Sequence, residues 1–284
     1  MANSSYLNII TFLLTTVFYY MVLKPTFTFD MLSDIQKSKD HTSQNYLYLG
    51  VYLLLVMVIQ FMVNASVISS SCGGNITENM GASSILTFLP WTLIFGAIIL
   101  VLVVYPGFKS AFSDVIGYFY VSSSASKVLT ELLIDPNVQK NIDSTNSTVE
   151  QKQAMQSAAD AIIKICGNTS ILINEIVPSN FISYWNTLKP LMKQQYQDDM
   201  SPDAIAKKTQ LFDLVVSRDN VGEAMWFIYI GILVTSIVQL KITTRGCVSS
   251  PETMEKNHEK FLKQNEKMEE KQAKATETVY TLSG

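Results

Sequence analysis

Four long apolar stretches, separated by polar segments of very unequal length, set the pattern of this chain. Residues 6–23 carry no charge and close on Lys24-Pro25; residues 46–68 have Tyr46, Tyr48 and Tyr52 at one end and Gln60 and Asn64 further in. Residues 85–105 are interrupted only by Pro90 and Gly96, and residues 221–242 have Glu223 at their start and Lys241 at their end. A helix of about 20 apolar residues crosses the ~30 Å hydrocarbon core of a bilayer, so each stretch predicts a transmembrane helix. The first lacks the basic leader and small-residue cleavage site of a signal peptide and reads as an uncleaved span. The tyrosines of the second suit the interfacial aromatic belt, and Gln60 and Asn64 are expected to hydrogen-bond across helices. The fourth is near the short limit, and its competing reading is a buried helix of the domain before it.

The polar segments differ in kind. Residues 24–45, with three lysines against Asp30, Asp34 and Asp40, predict a connecting loop, and the serine- and glycine-rich residues 69–84 a second, smaller one. Residues 106–126 form an exit segment. Pro106 lacks an N–H and stops the third span, and Gly107 is expected to take the positive φ of a tight turn. Phe108, Phe112, Tyr118, Phe119 and Tyr120 then alternate with Lys109, Asp114, Gly117 and serines, a composition suited either to the headgroup interface or to the first layer of a soluble core. The membrane-exit motif is therefore Pro106, Gly107, Phe108, Phe112, Gly117 and Tyr118.

Residues 127–220 predict a small soluble domain of about four helices. Ser147 and Thr148 are candidate N-caps for a helix through Ile165, Pro190 marks a kink after an aromatic-rich helix, and Ser201-Pro202-Asp203 is a strong helix start. Phe181, Tyr184 and Trp185 stand at helical spacing, either as core residues or as an aromatic contact for a partner. Residues 243–284 are a charged tail in which Met254, Phe261 and Met268 recur every seventh position. That stripe is too thin for a coiled coil and suits a solvated helix or one that finds its partner on assembly, self-association included. The fold class is thus an all-α membrane protein: about four transmembrane helices, a helical domain inserted between the third and fourth, and a charged helical tail.

Composition narrows the function. Of 284 residues 48% are apolar and 16% charged, and the net charge of −3 offers no basic field for nucleic acid. Cys72, Cys166 and Cys247 form no metal-ligand spacing, and two histidines make a His-rich metal site unexpected. No nucleophile elbow, zinc-protease, P-loop or dinucleotide signature is present, so neither enzyme nor cofactor is expected. A transporter usually keeps ionisable groups inside its spans. The interiors of these four hold none, and Gln60 and Asn64 are the strongly polar side chains of the second, which leaves a transporter or channel with a helical regulatory insert as the alternative to a structural anchor. Lysines and arginines cluster beside the first loop and the domain and are absent from the second loop, so the positive-inside rule places the domain on the cytosolic side with both termini opposite. In that arrangement the sequons at Asn146 and Asn168 stay bare, and Cys72 and Cys166 lie on opposite sides.

The run from Tyr105-Pro106-Gly107-Phe108 through Phe112-Ser113 to Gly117-Tyr118 resembles the multi-spanning inner-membrane proteins of the nucleocytoplasmic large DNA viruses, in which a Pro-Gly-aromatic stretch follows a hydrophobic span. The Asn-, Ile-, Lys- and Ser-rich composition is similar to that of such proteins. The resemblance implies a minor capsid protein of the virion that ties an icosahedral shell to the internal membrane, made on a host membrane of endoplasmic-reticulum type. Its partners would be the lipid bilayer and major or minor capsid proteins, met by the helical domain.

Overall fold

The computed structural model describes residues 2–72, 76–133 and 169–244, together with 255, 258–259 and 261–269. Among these the chain is helical throughout, with one isolated bridge between Leu133 and Met192. Helix α1 (Ala2–Phe18) ends in a wide π turn, Tyr19–Leu23; α2 (Phe29–Ser33) is short; α3 (Ile35–Cys72) runs 38 residues. After residue 75, α4 (Ile76–Pro90), a second π turn (Trp91–Phe95) and α5 (Gly96–Val104) form one span. The widened turn begins directly after Pro90, whose ring and missing N–H disturb the regular ladder. A 3₁₀ turn (Pro106–Lys109), α6 (Ser110–Phe112) and a third π turn (Ser113–Gly117) lead into α7 (Tyr118–Leu132). The domain continues with α8 (Thr169–Glu175), α9 (Phe181–Leu188) and α10 (Gln194–Gln197), and α11 (Pro202–Thr244) closes the fold.

Among the described residues four helices are long and apolar enough to span a bilayer, within Tyr6–Leu23, Ile35–Ser70, Asn79–Val104 and Pro202–Thr244. The chain is an all-α membrane protein, and the side chains are sorted as a bilayer demands. Leu14, Met21, Leu54, Met62, Leu93 and Leu100 are exposed on the outside of the bundle, where only lipid would spare them the cost of contact with water. Inside, Phe12, Tyr19, Tyr52, Trp91, Phe95 and Phe227 interlock, with ring centroids 4.5 Å apart for Tyr19 and Tyr52 and 5.7 Å for Phe95 and Phe227. A second core, above the first, gathers Leu129 and Leu132 of α7, Ile173 of α8, Phe181 and Trp185 of α9, and Phe212 and Val215 of α11.

Several sequence expectations change here. The loop at 24–45 is mostly helix, because the Asp34 carboxylate accepts the backbone N–H groups of Gln36 and Lys37 at 2.9 and 3.2 Å and starts α3 eleven residues before Tyr46. Its remainder is not a mere connector: Phe27, Phe29 and Leu32 pack on the domain core, and Phe29 lies 5.9 Å from Phe212. The loop at 69–84 shrinks as α3 runs to Cys72 and α4 resumes at Ile76. No break falls at residue 220, where the domain was expected to end and the fourth span to begin. Ser201 caps α11 by accepting the Ala204 N–H at 3.1 Å, and the helix then runs 43 residues, about 64 Å at 1.5 Å per residue, from the domain through the membrane. The helix expected over 147–165 lies outside the described residues. In the tail, residues 261–269 are helical, with Phe261 and Met268 exposed.

Candidate functional site

Three span ends meet at one level: the end of α1, the start of the apolar part of α3, and the end of α5. At this level α11 passes from domain to membrane, and it presents Asp219 and Glu223, four residues apart and hence on one face. The Glu223 carboxylate receives Lys24 from the end of the first span and, at 2.8 Å, Lys109 from the exit segment; Lys109 also reaches Asp219 at 2.9 Å. The Tyr20 hydroxyl donates to Glu223 at 3.0 Å, and the Lys24 ammonium lies 4.9 Å from the centre of the Tyr20 ring. Two lysines thus balance two carboxylates, and the Glu223 side chain is only 4% exposed. Burial works against the Lys109 ammonium, but Glu223 and Asp219 outweigh it and hold its pKa above the usual lysine value. Burial pushes Lys24 the other way, below that value, with Glu223 offsetting only part of the effect. Removing one partner from such a buried pair typically costs 3–5 kcal/mol, whereas the intact pair contributes far less, so the network serves to fix which ends meet.

The exit motif surrounds this network. Pro106 opens the 3₁₀ turn as expected of a helix stop, but Gly107 sits inside that turn without positive φ, and a Cβ there would meet nothing within 4 Å. The expectation of a strained glycine turn is therefore corrected. The 3₁₀ turn joins α5 to the segment that packs on α11 without positive φ at Gly107, helped by the Ser110 hydroxyl donating to the Gly107 carbonyl at 2.7 Å. The constrained glycine is Gly117, where a Cβ would lie 2.5 Å from the Arg218 carbonyl oxygen; its counterpart on α11 is Gly222, where a Cβ would lie 2.6 Å from Ser113 Cβ. Two backbones without side chains at the crossing bring the third π turn against α11.

The aromatics divide between the two expected roles. Phe112 sits 5.0 Å from Trp226, whose indole N–H donates to the Phe108 carbonyl at 2.8 Å, so both belong to a clamp on α11. Tyr118 packs on the domain core, while Phe119 and Tyr120 are 83% and 71% exposed. Phe181 and Trp185, considered as partner contacts, are each 1% exposed and lie in the domain core; Tyr184 is half-buried, its hydroxyl 3.3 Å from Glu175. These three do not form an exposed cluster.

Two further polar features went wholly or partly unread in the sequence. Arg218, which reads as a flanking charge, is fully buried: it donates to the Ile173 carbonyl and, at 3.3 Å, to Asn174 Oδ1, while Asn174 donates to the Asp114 carbonyl at 3.0 Å. At the opposite end of the membrane bundle Asn64 joins all four spans. Its Oδ1 accepts Asn8 at 3.1 Å and Gln239 at 3.0 Å, and its Nδ2 donates to Thr87 at 2.9 Å. Gln60 donates beside it to the Asn8 carbonyl at 3.0 Å. The expected cross-helix bonding of Gln60 and Asn64 is thus present, with Asn8, Thr87 and Gln239 as partners that amide count alone did not single out.

Among the described residues no group of His, Cys, Asp or Glu could hold a metal ion. The chemistry available at the junction is that of ion pairing and hydrogen bonding between chain ends. Comparison of the chain with protein-family models, with curated proteins and with solved structures gives no match.

Proposed function

We propose that this chain is a structural membrane anchor that carries a helical docking domain at a fixed height and angle over the bilayer. The observation that supports it is α11, which is continuous from Pro202 to Thr244 and so leaves no hinge between domain and membrane. The Lys24–Glu223–Lys109–Asp219 network pins two further span ends to the same helix. In the setting implied by the viral resemblance, the docking partner is a capsid protein and the membrane lies beneath an icosahedral shell. A density map of purified particles should show this chain bridging bilayer and shell. Absence of the chain from purified particles sinks the capsid reading.

The alternative, a transporter or channel with a helical regulatory insert, draws on the buried amides around Asn64. Those amides bond to one another across the bundle, an arrangement that joins helices. Reconstituted chain that conducts ions, with a flux that falls on Asn64→Leu, would favour the channel over the anchor.

A further inference from the structure

From residue 115 to residue 130 the side of the chain turned away from the domain core changes character once. Val115, Ile116, Phe119 and Tyr120 come first, all exposed; Ser123, Ser124, Lys127 and Thr130 follow on the same side, also exposed. The inner side of α7 shows no such change, since Val121, Ala125, Val128, Leu129 and Leu132 are buried along its whole length. Packing therefore explains the inner face, and the surroundings of the helix explain the outer one. We infer that the outer face formed by Val115, Ile116, Phe119 and Tyr120 is seated in the lipid surface, with its rings at the boundary between headgroups and acyl chains, and that α7 emerges into water at Ser123.

Height and continuity select lipid as the occupant. Ser113 stands against Gly222 and Gly117 against Arg218, so this segment climbs α11 from the level of Glu223 toward the domain. At 1.5 Å per residue the Cα of Phe119 lies about 9 Å above that of Ser113 and the Cα of Ser123 about 15 Å above it. Helical side chains lean toward the N-terminus of their helix, which here brings the Phe119 and Tyr120 rings back toward the bilayer. Interfacial helices bury an apolar face about 5–10 Å into the headgroup and acyl boundary, a depth that takes in the four apolar residues and stops short of the serines. Below them the surface is already that of a span: Tyr229, exposed on the fourth span, lies 6.2 Å from Phe112, three residues before Val115. The apolar face thus continues the exposed surface of α11 at the height where aromatic residues are enriched in membrane proteins. This reading rests on the membrane class of the chain and is independent of a capsid or channel role.

The test places the full chain in phosphatidylcholine nanodiscs, which leave both membrane faces open to solution, and adds one tryptophan at a time to the native Trp91, Trp185 and Trp226. Phe119→Trp should add fluorescence that is mostly lost when the lipid is replaced by one brominated near the headgroup end of its acyl chains, and that resists aqueous acrylamide. Lys127→Trp, two turns further along the same side, should add fluorescence with the opposite pattern, quenched by acrylamide and indifferent to bromine. Both positions are exposed, and circular dichroism checks that the variants are folded; if either is not, Tyr120→Trp and Ser124→Trp form a second pair with the same expected contrast. Added emission at residue 119 that is as open to acrylamide and as indifferent to bromine as that at residue 127 would place the face in water and overturn the inference. Protection from both quenchers would place it under protein, a second copy of this chain, and would overturn it equally.

Discussion

Single atoms decide how the exit segment meets α11. A Cβ at Gly117 or Gly222 would fall 2.5–2.6 Å from backbone or Cβ atoms of the partner segment, so these positions have no room for alanine. Gly117→Ala and Gly222→Ala should each cost about 1–3 kcal/mol, the usual range for overpacking, read as lowered thermal stability in detergent. Gly107→Val should stay within about 0.5 kcal/mol, since nothing surrounds that position. Glu223 is the other decisive residue. Glu223→Gln leaves Lys24 and Lys109 facing each other with Asp219 as their remaining carboxylate, and the loss should approach 3 kcal/mol. A variant with unchanged melting would show that solvent screens this network.

Among the elements, α9 depends on a carboxylate outside its own sequence. Asp199 accepts the Trp185 indole N–H at 3.1 Å and pairs with Lys189 at 2.5 Å and Lys208 at 3.5 Å, which ties α9 and the turn after it to α11. The Lys189 hydrogen bond, with Trp185 and Lys208, holds the Asp199 pKa below the usual carboxylate value. A carboxylate depressed in the folded state contributes stability above its unfolded pKa of about 3.9 and loses it as pH falls through the lower folded value. Domain stability should therefore drop below about pH 4, and Asp199→Asn should lower stability at neutral pH while flattening that acid limb. Denaturation of both proteins followed by near-ultraviolet circular dichroism, to which Trp185 contributes beside Trp91 and Trp226, reads the difference. Equal acid limbs would remove Asp199 from the account.

At the scale of the whole molecule, two long helices, α3 and α11, extend beyond the apolar spans on one side, and α11 is built into the domain core through Leu211, Phe212 and Val215. Four crossings put the start of α1 and the end of α11 on the side opposite that domain. Protease added to sealed vesicles should therefore cut either within the domain or near both termini, never at one terminus together with the domain. Cleavage at the N-terminus and the domain on the same vesicles would require an odd number of crossings. The bundle is fastened at both ends by unlike chemistry, ion pairs at the domain side and the amide cluster around Asn64 at the other. Carboxylate–ammonium pairs suit the wetter headgroup level, and neutral amides avoid the cost of charge further from it.

The sequence alone determined the class: four apolar runs of spanning length, helices between the third and fourth, and the cap at Ser201, because hydrophobic length and local backbone chemistry are properties of neighbouring residues. The kink expected at Pro190 is instead the end of α9 at Leu188, followed by a 3₁₀ turn over Lys189–Leu191. It also marked Gln60 and Asn64, since an amide within an apolar run stands out. Tertiary structure decided what those marks meet. Lys24, Lys109 and Glu223 looked like three flanking charges, and they become one network only because alternating crossings return three span ends to one level. Arg218 looked like a surface cation and is buried, because the helix that bears it continues inward without the expected boundary. Gly107 invited a turn argument from its Pro-Gly context, but where this segment crosses α11 the glycines that lack room for a side chain are Gly117 and Gly222, which lie 105 positions apart in sequence. Their constraint comes from the close approach of two backbones, a contact that exists only once the chain has folded.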